Sequence, residues 1–200
     1  MVFASHAGAL AITEGNRWPP RRWRPLALAI ALGVACLTPG PAGAEGERFW
    51  VGGLGFTAPE GWQRVAPPTP MRKAMFRVPN PTGGGDGAVT FYHFGPGRGG
   101  SVEANIERWR RQFQEPPERL GATVETKQID GRRVHLFRAH GTLMSGAPGG
   151  PKTALPGYAF LGAVIEGQRG NVFIRFVAPG PLADASAARF RAMVESPFHR

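Results

Sequence analysis

Beyond residue 53, short runs of apolar, β-branched and aromatic positions recur between glycine- and proline-rich breaks, and two stretches instead follow a period of 3.6. These runs predict strands at residues 54–57, across Met71, Ala74, Phe76 and Val78, at 89–94 where the alternation is clearest, at Thr123–Ile129, at 133–139, at 158–165 and at 172–177. Arg72, Lys73 and Arg77 fall on the wet side of the second run. Val89-Thr90-Phe91-Tyr92-His93-Phe94, rich in β-branched and aromatic residues, suits antiparallel pairing with it. Asp130-Gly131 is a dipeptide suited to a type I′ turn, and residues 166–171 carry a further hairpin signal. Glycine and proline mark the other connections: a lead-in at 45–53, a turn at 58–62, and loops at 67–70, 79–87 and 146–157.

The first helical stretch opens at Ser101, a good N-cap, with Glu103 in the first turn where the helix dipole favours negative charge. Val102, Ile106, Trp109 and Phe113 then form one apolar stripe, and Pro116-Pro117 stops the helix. That stripe must face a sheet. A second amphipathic helix is expected over residues 182–195, with Leu182, Ala185, Phe190, Met193 and Val194 towards the core.

Residues 1–44 follow a different pattern. Arg21-Arg22-Trp23-Arg24, an apolar run at 25–37 and the small residues Ala42-Gly43-Ala44 are the three parts of a bacterial secretory signal peptide. As a helix the run would rise about 20 Å against a hydrocarbon core of about 30 Å, too short to span. The expected product is an exported protein, periplasmic or secreted, with one domain at residues 45–200. Cleavage after Ala44 would free it. Leu32-Gly33-Val34-Ala35-Cys36 resembles a loose lipobox, and processing there would leave the protein lipid-anchored at Cys36.

The leader also changes the composition argument. It contains the sole cysteine, so the domain beyond it has no disulfide, thiolate nucleophile or cysteine metal site. Setting aside Arg17, Arg21, Arg22, Arg24 and Glu14 lowers the formal charge from +10 to +7. The remaining arginines are scattered, as at Arg110-Arg111 and Arg132-Arg133, which points to a basic, soluble surface rather than a nucleic-acid patch.

An antiparallel sheet of five to seven strands packed with two main helices is an α+β fold. Phe56-Thr57-Ala58-Pro59-Glu60-Gly61-Trp62, followed by hairpins and a terminal helix containing Phe190, resembles the PsbP-like superfamily, which implies an α/β/α sandwich. The block Gly97-Arg98-Gly99-Gly100-Ser101, Asn105-Ile106, Arg108-Trp109 and Gln112-Phe113 is similar to a set of exported bacterial proteins of unknown function. These resemblances imply a fold, and members that act as assembly factors, partner-binding proteins and small lipoproteins. They imply no activity.

Three apparent motifs fail on chemistry. Residues 95–100 match G-x-G-x-x-G, but the setting is hairpin-like, Pro96 stiffens the loop, and export removes the chain from dinucleotides. Residues 146–153 approach a P-loop, but Pro151 replaces the glycine before Lys152 and Pro156 obstructs the following helix. His93, His135, His140 and His199 lack the i, i+4 spacing or partner carboxylates of a metal site. No cofactor, metal or catalytic residue is nominated.

The helix supplies the remaining candidates. Ser101, Asn105, Arg108 and Gln112 make a second ridge, with uncharged amides punctuated by one arginine, while Glu107 and Arg111 form an ordinary i, i+4 pair on the opposite flank. Asn105 and Gln112 could hydrogen-bond loop backbone and fix the helix to the sheet edge. Alternatively, Arg98, Asn105, Arg108 and Gln112 line a groove for an envelope protein or a small anionic ligand. The expectation is a non-catalytic, monomeric binding or scaffolding module that meets a membrane only if Cys36 is lipidated. Its rivals are an envelope hydrolase with dispersed active-site residues and a lipid-anchored membrane-surface module. A pocket gathering a carboxylate, a histidine and Arg108 would favour the hydrolase.

Overall fold

The computed structural model describes residues 46–146 and 149–199; the segment read as a signal peptide, with Cys36 and Ala44, lies outside the described residues. The fold is α+β. Nine strands and two helices follow in the order β1 (Arg48–Val51), β2 (Leu54–Thr57), β3 (Gln63–Val65), β4 (Arg72–Val78), β5 (Gly87–His93), α1 (Val102–Arg110), β6 (Thr123–Ile129), β7 (Arg132–Ser145), β8 (Thr153–Ile165), β9 (Val172–Pro179) and α2 (Gly180–Glu195). Strands β3 to β9 form one antiparallel sheet in the order β3-β4-β5-β9-β8-β7-β6, and β1 pairs only with β2.

The two faces of the sheet are covered unequally. On one, the β1–β2 hairpin and α2 close a large core in which Phe49 packs on Phe76 and Phe91 with ring centroids 4.9 and 5.0 Å apart. On the other, α1 brings Val102 and Trp109 onto Phe137, Phe160, Val164 and Phe173 of β7, β8 and β9. Trp109 lies 5.2 Å from the Phe160 ring and 5.7 Å from Phe137. Gly162, between those strands' aromatics, leaves the space that the Trp109 indole fills. Among the described residues no helix lies over the β5-β4-β3 part of this face.

Several elements follow from local chemistry as expected. Ser101 caps α1, its hydroxyl accepting from the Ala104 amide at 3.1 Å. Asp130 and Gly131 adopt φ of 48° and 73°, the left-handed pair that a type I′ turn between β6 and β7 demands.

Others differ. The lead-in at 45–53 contains strand β1, turned back into β2 by Gly52-Gly53, and β3 follows Trp62 where no strand is expected. Met71 precedes β4 and is exposed. Helix α1 ends at Arg110, short of Phe113. Phe113 is buried all the same, because residues 112–114 bond to the far end of β7: Met144 N–H donates to the Gln112 carbonyl at 2.7 Å and Gln114 N–H to the Thr142 carbonyl at 2.8 Å. Part of the predicted 146–157 loop is strand, since β8 begins at Thr153, and the register shift in its pairing with β7 accommodates Pro156 and Gly157. In α2, which starts at Gly180, Ala183 and Ser186 are buried and Ala185 is exposed, because at about 100° per residue Ser186 shares the stripe of Leu182, Phe190 and Met193 and Ala185 falls beside it.

Candidate functional site: a cationic groove beside the first helix

Strand register fixes what lies on the open half of the α1-side face. One row across the sheet runs Met75, Thr90, Arg175 and Gly162, and the next runs Arg72, Tyr92, Phe173 and Val164. Arg175 therefore sits beside the place where Trp109 covers Gly162, at the boundary between the covered and open halves.

Its surroundings are unusual for a charge. Arg175 Nη2 donates to Gln112 Oε1 at 2.7 Å, the guanidinium carbon lies 5.1 Å from the centre of the Phe160 ring, and Nε is buried with no partner. Burial pushes the Arg175 pKa below the ordinary arginine value; the adjacent Tyr92 hydroxyl opposes that shift and Arg72 adds to it by repulsion. Among the described residues neither Arg175, Arg72, Arg98 nor Arg108 forms an ion pair with a carboxylate.

The four ridge residues take different parts. Asn105 is 5% exposed; its amide donates to the carbonyls of Gly99 and Ser101, both at 2.8 Å, and its oxygen accepts from Arg108 Nη1 at 3.0 Å. It thus ties the glycine-rich loop to α1. Gln112 lies in the turn after α1, where Nε2 donates to the Arg108 carbonyl at 3.4 Å and Oε1 holds Arg175. Arg108 is exposed beside Gly100. Arg98 is exposed in the loop, with no side-chain hydrogen bond to the other three. So Asn105, Arg108 and Gln112 are brought together with Arg175, while Arg98 stands at the loop tip. Residues 95–100 serve as the helix entrance. At Gly99, φ is 92° and a Cβ would come within 2.8 Å of Phe94 and Phe173, so only glycine lets the loop lie on those rings.

Arg175, Arg72 and Tyr92 escape a search of the sequence for motifs. A signal exists, however: Phe173 and Val177 flank Arg175 on the same strand face, so that an arginine between them must lie against a covered surface.

Two concavities lie elsewhere. One of about 390 Å³ opens between α2 and β6–β7 over Leu136 and Leu161, bridged by the ion pairs Arg191–Glu125 and Arg138–Asp184, both at 2.8 Å. Another of about 540 Å³ is lined by Gln128, Arg132, Arg133, Glu166 and Asn171. At its edge Thr126 Oγ1 is 2.9 Å from His135 Nδ1, and His135 Nε2 is 2.8 Å from Glu166 Oε1. Burial raises the Glu166 pKa, but hydrogen bonds from His135 and Arg133 more than offset it and hold the carboxyl below its usual range. A carboxylate and a histidine do meet here, with Arg133 rather than Arg108. His93 meets the Arg169 carbonyl, and His140 lies between Arg138 and Asp184, 3.5 Å from the Asp184 carboxylate, so two histidines do have the carboxylate neighbours not expected from sequence; no three His, Cys, Asp or Glu side chains converge among the described residues.

No family model and no curated protein matches the chain. Among solved structures it is similar to a Pseudomonas aeruginosa protein of unknown function, at 11% identity and a TM-score of 0.41 over 77% of this chain and 96% of that one. It is also similar to the cyanobacterial PsbP (CyanoP) of Synechocystis sp. PCC 6803, at 16% identity and a TM-score of 0.51, covering 80% of this chain and 95% of that one. The chain has a PsbP-like fold.

Proposed function

We propose that the protein is an exported, non-catalytic envelope module that binds an anionic group in the groove between α1 and the open half of the sheet. The observation that carries this is Arg175, a guanidinium withdrawn from water with no carboxylate among the described residues to neutralise it. Taking such a group out of water costs several kcal/mol. An amide, a phenol and a ring face return part of that, and an anionic ligand would supply the missing counter-charge, with Arg108 and Arg72 at its margins. Export rests on the pattern at residues 21–44, and the resemblance of the 97–113 block to exported proteins of unknown function supports it.

Replacing Arg175 by methionine tests the reading. A buried cation exchanged for an apolar side chain of similar length should leave stability unchanged or raised, while thermal stabilisation by inorganic phosphate, present in the parent, disappears. If Arg175→Met loses more than about 2 kcal/mol and phosphate stabilises neither protein, Arg175 is only a clamp for the end of α1.

The Thr126–His135–Glu166 chain favours a second reading, an envelope hydrolase in which His135 activates the Thr126 hydroxyl. Hydrolysis of p-nitrophenyl acetate that Thr126→Val abolishes would support it over the binding module.

A further inference from the structure

We propose that one end of the sandwich is a docking face for an anionic lipid bilayer. Four connections meet there. Gly52 packs on His93 and Val172, the last residue of β5 and the first of β9; Gly170 packs on Gly95; and Arg132 Nη1 donates to the Glu166 carbonyl at 3.4 Å. Arg72, which opens β4, pairs with Tyr92 at the same end, so Met71 lies there too.

This end concentrates exposed apolar side chains. Trp50 is 72% exposed, Met71 62% and Phe94 37%, and the one other large exposed apolar residue among those described is Val124. Trp50 is held ready. It faces away from the sheet, opposite in direction to Phe49 and Val51, and its ring lies over its cross-strand partner Gly55, where a Cβ would be 3.1–3.3 Å away. An indole fixed flat on the surface keeps its apolar face and its N–H available together, the combination suited to a membrane–water interface.

The charge at this end matches the same partner. Among the described residues Arg98, Arg132 and Arg169 have no carboxylate partner, and Arg169 reaches over the Gly52-Gly53 turn that follows β1. The connections here carry only two acids, Asp130 and Glu166, and Glu166 is already engaged by Arg133 and His135. Unpaired arginines around an exposed tryptophan fit phosphate headgroups above an acyl boundary. An exported chain would meet such a surface at the outer leaflet of an envelope membrane. This docking is separate from the Arg175 groove and needs no lipid on Cys36.

The test is sedimentation with phosphatidylglycerol-rich and with phosphatidylcholine vesicles at about 50 mM salt, using chains that all carry Cys36→Ser so that no anchor contributes. The parent should bind the anionic vesicles alone, with a blue shift of tryptophan emission that Trp50→Ser removes. Each basic residue at an anionic surface is worth about fivefold in partition, so Arg132→Ser with Arg169→Ser should weaken binding about 25-fold. Arg111→Ser with Arg119→Ser, the same charge removed from the opposite end, should weaken it less than about threefold. Absence of binding by the parent, or equal loss in the two double variants, overturns the proposal. Circular dichroism of each variant separates lost docking from lost folding, and the phosphate response of Arg175 reports independently on the groove.

Discussion

Gly162→Ala should destabilise the protein even though alanine for glycine in a strand ordinarily helps. A methyl group there would come within 2.7 Å of Trp109 Cε3 and closer still to Cζ3, against an ordinary carbon–carbon separation of about 3.5–4.0 Å. The indole is boxed in by Phe137 and Phe160, so relief requires it to back away from the sheet by about 1 Å. A buried tryptophan covers about 150–250 Å², worth about 4–6 kcal/mol at about 25 cal/mol per Å². A gap of that size forfeits a quarter to a half of the contact energy, about 1–3 kcal/mol. Stiffening the unfolded chain returns about 0.4–1 kcal/mol. The net expectation is a loss of about 1–2 kcal/mol in urea denaturation. Because α1 has only nine residues and depends on this contact, its amides should also exchange faster with solvent. Trp109→Leu, which vacates part of the space, should couple to Gly162→Ala by about 1 kcal/mol in a double-mutant cycle. A neutral or stabilising Gly162→Ala with unchanged exchange in α1 would refute the account.

Asn105→Ala should cost about 1–3 kcal/mol, because two carbonyls of the helix entrance lose their donor at once, whereas Arg108→Ala should stay within about 0.5 kcal/mol; chemical denaturation of both variants distinguishes them. Glu115 accepts from the Thr142 amide with both oxygens at 2.9 Å, and that bond lowers its folded pKa below 4.5. The unfolded chain therefore binds the extra proton first, so the stabilising contribution is complete above the unfolded pKa and lost as pH falls through the folded one. Stability of the parent should exceed that of Glu115→Gln at neutral pH, and the gap should close as pH falls through the ordinary glutamate range and below it; a gap independent of pH would show that the carboxylate charge is irrelevant.

The core of the sheet is legible because most strands from β4 to β9 are runs of apolar, β-branched and aromatic residues set between glycine and proline breaks, and because Asp130-Gly131 and Ser101 have local chemistry that no distant contact overrides. The β1 strand was hidden by its length. Its four residues supply too little pattern beside two glycines, and its partner contributes only four more. The start of β8 was hidden by Pro156, which a regular ladder rejects but a register shift admits. At the candidate site, the sequence places Asn105, Arg108 and Gln112 near one another through helical spacing alone. Arg175 belongs to a strand 63 residues beyond Gln112, and only the sheet order brings the two together.

Arg175 also polices strand alignment. β9 lies between β5 and β8, and its neighbours Ile174 and Phe176 point into the phenylalanine-rich core on the other face. Sliding β9 by one residue would exchange the two faces and drive the guanidinium among Phe49, Phe76 and Phe91, where no hydrogen-bonding group awaits it. An entirely aliphatic β9 would lack that penalty, since either face could be buried at similar cost. The cation at the edge of the groove thus excludes the out-of-register sheet as a competing fold.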